Sequence, residues 1–215
     1  MTLAGSIHTT SPFPPGFFHR EDDNDDSTFY CHPRFVTHID PPAIATVGQL
    51  YEDLHIHGDV LDLMSSCVSH FRAKPRRLVG LGMNAEELAA NPQLDDSVVH
   101  NLNIAPTLPF PNASFDDAVC CVSVDYLTRP IAVFADVARV LTPNGRFVLT
   151  FSNRLFATKA IRGWLLANDV ERCRIVAEYF LQSGAFQAPT TSLRTPIGAL
   201  TDPLFAVWAT TSSRP

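Results

Sequence analysis

FDDAVCCVSVDYLTRPIAVFADVARVLTPNGRFVLTFSN, residues 115–153, decides the fold. AVCCVSV (118–124) is apolar at nearly every position, as expected of a strand covered on both faces. Pro130 suits the first turn of a helix, and Ile131, Phe134, Val137, Val140 and Leu141 then recur along one helical face. TPNG breaks that helix, with Gly145 suited to a left-handed turn. RFVLTFS (146–152) reads as a second buried strand. A strand, a helix and a strand in this order predict a parallel pair with its crossover on one face.

The same alternation continues upstream. DVLDLM (59–64), RRLVGLGM (76–83) and SVVHNLN (97–103) read as three further strands. Asn84 can cap a short helix, with Glu87 completing a capping-box-like pair. Asp40 followed by Pro41 begins an earlier helix, on which Ile44, Val47, Leu50, Tyr51 and Leu54 share a face and which should end near His57-Gly58. Downstream, KAIRGWLLAN (159–168) and DVERCRIVAEYFLQSG (169–184) read as helices, and FQAPTTSL with PLFAVWATT as an edge hairpin. The prediction is one α/β domain over 29–215, with a mostly parallel sheet, helices on both faces and an antiparallel last strand. Residues 1–28, with Pro12, Pro14, Pro15, Gly16 and the run EDDNDD (21–26), read as a flexible acidic tail.

Composition narrows the partners. A net charge of -6 argues against nucleic acid, whose phosphates demand concentrated Lys and Arg. Hydrophobic content of 46% is that of an ordinary globular protein, and no apolar run approaches the ~18 residues of a membrane span. The five cysteines show no CxxC spacing, and the N-terminus has no basic start or apolar h-region. An intracellular, cytoplasmic, reduced protein is expected, and Asn112-Ala113-Ser114 is then only a loop. Cys31, His32, His38 and His70 match no zinc spacing, so no metal is expected. Ser69-His70 lacks the glycine-flanked elbow of a hydrolase nucleophile.

In open parallel sheets ligands bind beyond the carboxyl ends of the strands. Those ends should bring together Asp62-Leu63-Met64, Gly82-Met83-Asn84, Asn101-Leu102-Asn103 and Ser123-Val124-Asp125. Such a lining suits a neutral or zwitterionic small molecule with a flat ring. A triphosphate is excluded by the lack of a GxxxxGK[ST] loop. The turn after the first strand, MSSCVSH (64–70), has no glycine.

LPFPNASFDDAVCCVSVDYLTRPIAVFADVARVLTPNGRFVLTFSN (108–153) resembles the class I S-adenosylmethionine-dependent methyltransferases. The closest branch is the type 11 one, around the ubiquinone and menaquinone methyltransferases. LPFP-x-x-SFD looks like that family's approach to the fourth strand, and RVLTPNGRFVLT like its helix, Pro-Gly turn and fifth strand. The resemblance covers roughly residues 29–184. It implies a Rossmann-like seven-stranded fold, S-adenosylmethionine as cofactor and a small-molecule acceptor, in a soluble protein that could form homo-oligomers. Asp62 matches the acid that ends the family's first strand. Met64, Ser66 and Val68 stand at its usual glycines, and Gly82 where an acid holds the cofactor ribose. Asn103 or Asn101 lies at its adenine contact. The resemblance thus points to Asp62, Met64, Ser65, Ser66, Gly82, Met83, Asn84, Leu102, Asn103 and Ser123 for the cofactor, the two serine hydroxyls replacing contacts that a glycine turn makes through its backbone.

It also implies that the N-terminal segment covers the crevice. His38 is then a candidate general base, Tyr30, Arg34 and Tyr126 candidate substrate contacts, and Asp125 a candidate catalytic group. For Arg34 the alternative is a salt bridge with an acid such as Asp40, and for His38 a packing role at the helix entry. Loss of the glycine turn and the ribose acid leaves two other functions open: a non-methylating cyclisation or isomerisation, and a non-catalytic scaffold that has released its cofactor.

Overall fold

A computed structural model describes residues 12–196 and 198–212. Seven strands form one sheet in the order β3-β2-β1-β4-β5-β7-β6. They are β1 (Asp59–Leu63), β2 (Arg77–Gly82), β3 (Asp96–Val99), β4 (Phe115–Cys121), β5 (Leu141–Phe151), β6 (Thr190–Leu193) and β7 (Phe205–Thr210). β1 to β5 run parallel, and β7 inserts antiparallel between β5 and β6. The order turns back on itself between β1 and β4, which places the crevice there.

The helices are α1 (Asp26–Phe29), α2 (Pro41–Asp53), α3 (Ala85–Ala90), α4 (Pro130–Val140), α5 (Arg162–Leu166) and α6 (Asp169–Ser183). None among the described residues is long and apolar enough to cross a membrane. Strand alternation divides the core in two. Leu61, Leu63, Phe147 and Leu149 face α4, α5 and α6 through Phe134, Val137, Trp164, Tyr179 and Phe180. Val60, Leu78, Val119 and Val148 face α2 through Val47, Leu50 and Tyr51. A sheet covered on both faces explains the apolar run of β4.

Several helix ends follow from sequence chemistry. The Asp40 carboxylate accepts from Ala43 N at 2.9 Å and Pro41 opens α2, which stops at Asp53, short of Gly58. Asn168 and Glu171 form a reciprocal capping box on α6, which ends at Gly184 with φ 66°. Elsewhere the sequence-based expectation needs correction. TPNG does not form a turn between elements but lies within β5, and Asn144 rather than Gly145 takes the left-handed conformation, at φ 66°. Gly145 is needed for room, since a Cβ there would stand 2.7 Å from Asp116 O. The helix expected over 159–168 shrinks to Arg162–Leu166.

The largest correction concerns the N-terminus. Residues 1–11 lie outside the described residues, but 12–28 are packed rather than loose. Phe13, Phe17 and Phe18 join the core against Tyr179. The backbone is tied down by Gly163 N to Phe17 O (2.9 Å), Arg162 N to His19 O (2.7 Å) and Asp22 N to Thr158 O (2.9 Å). Lys159, fully buried, lies 3.0 Å from Asp22 and 3.2 Å from Asp26, and Arg20 bonds Asp26 at 2.7 Å. The acidic run carries part of the counter-charge for a lysine more than a hundred residues away, and only its outer members, such as Glu21 and Asp23, stay solvated.

Candidate functional site

A crevice of about 120 Å³ opens over the carboxyl ends of β1, β2 and β4. The turn after β1 forms its floor. Met64 takes φ 58°, a left-handed conformation that glycine adopts freely and a side chain resists. The turn has no glycine, but Met64 follows the backbone course that a glycine would permit. Ser65 N then donates to Leu81 O at 2.8 Å. Among the described residues, the N–H groups of Ser66, Cys67 and Val68 meet no acceptor. Val122, at the rim of the crevice beyond β4, is also left-handed, at φ 45°. A β-branched residue rarely tolerates that region, and such strain clusters at functional sites.

The serines are not free for a ligand as the sequence suggested. The Ser65 and Ser69 hydroxyls donate to Asp62 Oδ2 at 2.7 and 2.5 Å. Ser66 donates to Glu87 Oε2 at 2.6 Å. Asn91 secures the turn by donating to Ser66 O and Ser69 Oγ. Burial pushes the Asp62 carboxyl up to about 6, against the two serine bonds. With its hydroxyl given to Asp62, Ser69 forms no nucleophile pair with His70.

Gly82 has a steric cause. A Cβ at this position would lie 2.2 Å from Ser65 O. The turn at 64–66 therefore leaves no room for any side chain at this strand end. Glu87 supplies a carboxylate nearby. It is buried and lines the crevice, with Oε1 accepting from Arg34 N at 2.7 Å. Sequence reading set it aside as a capping partner, whereas Asn84 alone caps α3, accepting from Glu86 N and Glu87 N. The Asn84 amide also donates to Tyr30 O at 2.9 Å, tying the N-terminal segment to α3.

Of the residues singled out in the sequence, Tyr30, Arg34, His38, Asp62, Met64, Ser65, Ser66, Gly82, Met83, Asn84, Leu102, Asn103, Ser123 and Tyr126 all line the crevice. Asp125 does not. It is buried behind the floor, with Oδ2 unpartnered among the described residues, and burial pushes its carboxyl up to about 7. Its turn directs Tyr126 to the crevice and Asp125 inward. Asn103 is spent on structure, donating to Asp26 and Tyr126 O and accepting from Thr128. The Tyr126 hydroxyl accepts from Phe156 N at 2.8 Å.

Two imidazoles share the mouth. His38 sits edge-on to Phe156 at 5.3 Å between centroids. Desolvation holds it below the usual imidazole value, against the opposing pull of Glu87 and with a further push from Arg34. His70 is lowered to about 4 by burial and by His38, and its Nδ1 has no partner among the described residues. Both are neutral near pH 7, and a neutral imidazole can accept a proton. No group of three or more His, Cys, Asp or Glu among the described residues could hold a metal. Sequence reading left Asp26 and Glu87 out of the crevice and favoured packing for Phe156 over a pocket lining, whereas all three line it.

Residues 57–149 match the family described as methyltransferase domain, type 11. No curated protein matches. Among solved structures, a SAM-dependent methyltransferase from Aquifex aeolicus superimposes with a TM-score of 0.56 at 13% identity, over 80% of this chain and 94% of its own. One from Mesorhizobium loti gives 0.54 at 16%, over 77% and 98%. A chain from the complex between the Haloferax volcanii Trm112 methyltransferase activator and a methyltransferase gives 0.54 at 16%, over 81% and 96%. These likenesses are of fold. The match over 57–149 and the sheet order together show a methyltransferase-like domain with the fold of the S-adenosylmethionine-dependent methyltransferases.

Proposed function

We propose that the protein is an S-adenosylmethionine-dependent methyltransferase acting on a small-molecule acceptor inside the cell. The observation that carries this is the turn after β1, where Met64 keeps a left-handed backbone at φ 58° and leaves the N–H groups of Ser66, Cys67 and Val68 without acceptors among the described residues. Consecutive free amides of this kind form an anion-binding concavity, suited to the carboxylate of the cofactor's methionine end. Leu102 and Met83 offer apolar faces to a flat ring. Glu87, one turn beyond β2, is the carboxylate available to ligand hydroxyls in place of an acid at Gly82.

When bound, the cofactor supplies an activated methyl group on sulfur. The protein's part is then chiefly alignment and exclusion of water. Tyr30, Arg34 and Tyr126 form the acceptor side, under the cover of residues 26–38. His38, neutral near pH 7, takes a proton from an acceptor that must lose one. Asp125 has no direct part and shapes the floor from behind. A second reading, a rearrangement enzyme on the same scaffold, is favoured by the Ser65 carbonyl filling the place of the strand-end acid.

Isothermal titration with S-adenosylmethionine and S-adenosylhomocysteine tests the proposal. Micromolar binding of either is expected. Absence of heat and of any thermal shift up to millimolar ligand would overturn it in favour of the rearrangement reading.

A further inference from the structure

Arg34 is the single lysine or arginine among the described residues that line the crevice. The other cations of the N-terminal segment's contact, Arg20 and Lys159, are paired with Asp22 and Asp26. The Arg34 guanidinium meets no carboxylate among the described residues, although the main-chain N–H is bonded to Glu87. Asp40, the acid nearest in sequence after it, is occupied by Ala43 N, Asp202 N and the Thr201 hydroxyl. The anticipated Arg34–Asp40 salt bridge is therefore absent.

The guanidinium is nonetheless held in a defined pose. It lies over the Phe29 ring at 4.4 Å and near Phe156 at 5.5 Å. Nη2 donates to Phe29 O at 2.9 Å and Nη1 to His32 O at 3.4 Å. The main chain is pinned on the opposite side, by Glu87 to its N–H and Cys67 to its carbonyl. A guanidinium has five N–H donors in a rigid plane, and only two of them are used. Nε–H and one hydrogen on each terminal nitrogen remain, and planar guanidinium donors of this kind can match a carboxylate in two parallel bonds.

Position and surroundings narrow the ligand. The Arg34 main chain sits against Cys67 and Glu87, while its side chain carries the guanidinium to Phe29 and to Phe156, which follows β5. Val36, Val68, Tyr126 and Phe156 give the space beside it apolar walls. The crevice's own acids do not compete: Asp26 is paired with two cations, Asp62 accepts from two serines, and Glu87 accepts from Ser66 and Arg34 N. One fork, with two neutral histidines as its neighbours, suits a single negative charge better than a phosphate dianion. We infer that the acceptor molecule is a small planar acid, held through its carboxylate by the in-plane donors of Arg34 with its apolar body against Phe156 and Tyr126. This rests on the methyltransferase reading only in assigning the turn at 64–68 to the cofactor and the Phe156 side to the acceptor.

The test uses 4-hydroxybenzoate and its uncharged counterpart 4-hydroxybenzamide, titrated into the full chain with and without S-adenosylhomocysteine. The wild-type protein should prefer the benzoate at least tenfold. Arg34→Gln should abolish that preference, and Arg34→Lys, which keeps the charge but not the fork, should retain only part of it. Equal affinity for the two probes in the wild-type protein overturns the inference, and this comparison holds even if the variants fail to fold. So does a Gln variant that keeps the preference. If Arg34→Gln instead weakens S-adenosylhomocysteine tenfold and leaves the benzoate preference intact, Arg34 belongs to the cofactor and the inference falls. A wild-type protein that binds no S-adenosylhomocysteine but shows an Arg34-dependent benzoate preference would overturn the cofactor assignment while upholding the carboxylate site.

Discussion

Asp125 shows how burial alone can set the behaviour of one carboxyl. Its ordinary value of 3.8 is pushed up to about 7 by desolvation. Between these values the folded protein keeps a proton that the unfolded chain has released. Stability is therefore full below about pH 4 and falls as pH rises through the window to about 7, by up to roughly 1.4 kcal/mol per pH unit. Asp62, raised to about 6, acts in the same direction over a shorter span. Asp125→Asn should flatten this slope, so that melting temperatures at pH 5 and pH 8 draw together and the variant exceeds wild type at pH 8. An unchanged slope would place the proton elsewhere. From sequence, Asp125 and Tyr126 look equivalent as crevice groups, because the short 3-10 turn at 124–126 that separates them has no periodic signature. The same limit hid Glu87, whose spacing from Asn84 suits a cap and whose actual partners, Ser66 and Arg34, come from distant turns.

At the level of elements, the boundaries with local chemistry were legible. Asp40-Pro41, Asn168 with Glu171, and Gly184 each mark a helix end through side-chain or backbone bonds within a few residues. The succession β4, α4, β5 was legible because apolar runs and helical periodicity report burial directly. What escaped was register. TPNG reads as a break, yet the chain continues through it as strand, paired with Phe115 at Leu141 and with Asp117 at Arg146 across an irregularity. Pairing across a sheet depends on the partner strand, which no local window contains. The α6 cap gives a measurable case of the legible kind. Asn168→Ala should cost about 1 kcal/mol in urea denaturation, since it removes the acceptor for Glu171 N and one half of the capping box. A loss below about 0.3 kcal/mol would show that other contacts, such as Arg172 against Trp164, hold that end without the cap.

At the scale of the molecule, a mostly parallel sheet with helices on both faces was readable from alternation of strand and helix, and the strap formed by residues 12–28 was not. Proline and acid content disguised it, because its partners Lys159, Gly163 and Tyr179 lie far along the chain. Its contribution should be large. Asp26→Ala leaves the buried Lys159 and Arg20 short of a partner and should cost about 3–5 kcal/mol by denaturant midpoint, whereas Asp23→Ala, at the exposed edge of the same run, should stay within about 1 kcal/mol. Equal effects would mean that the run acts only through its overall charge. The strap also bears on how the protein is made. Phe13, Phe17 and Phe18 are synthesised well before the surfaces they cover, which lie around residues 158–180. At roughly 5–20 residues per second that interval is on the order of 10–30 s, during which three phenylalanines have no native partner. The domain cannot close in chain order, and a nascent chain is a natural client for a chaperone until residues 12–28 meet α5 and α6.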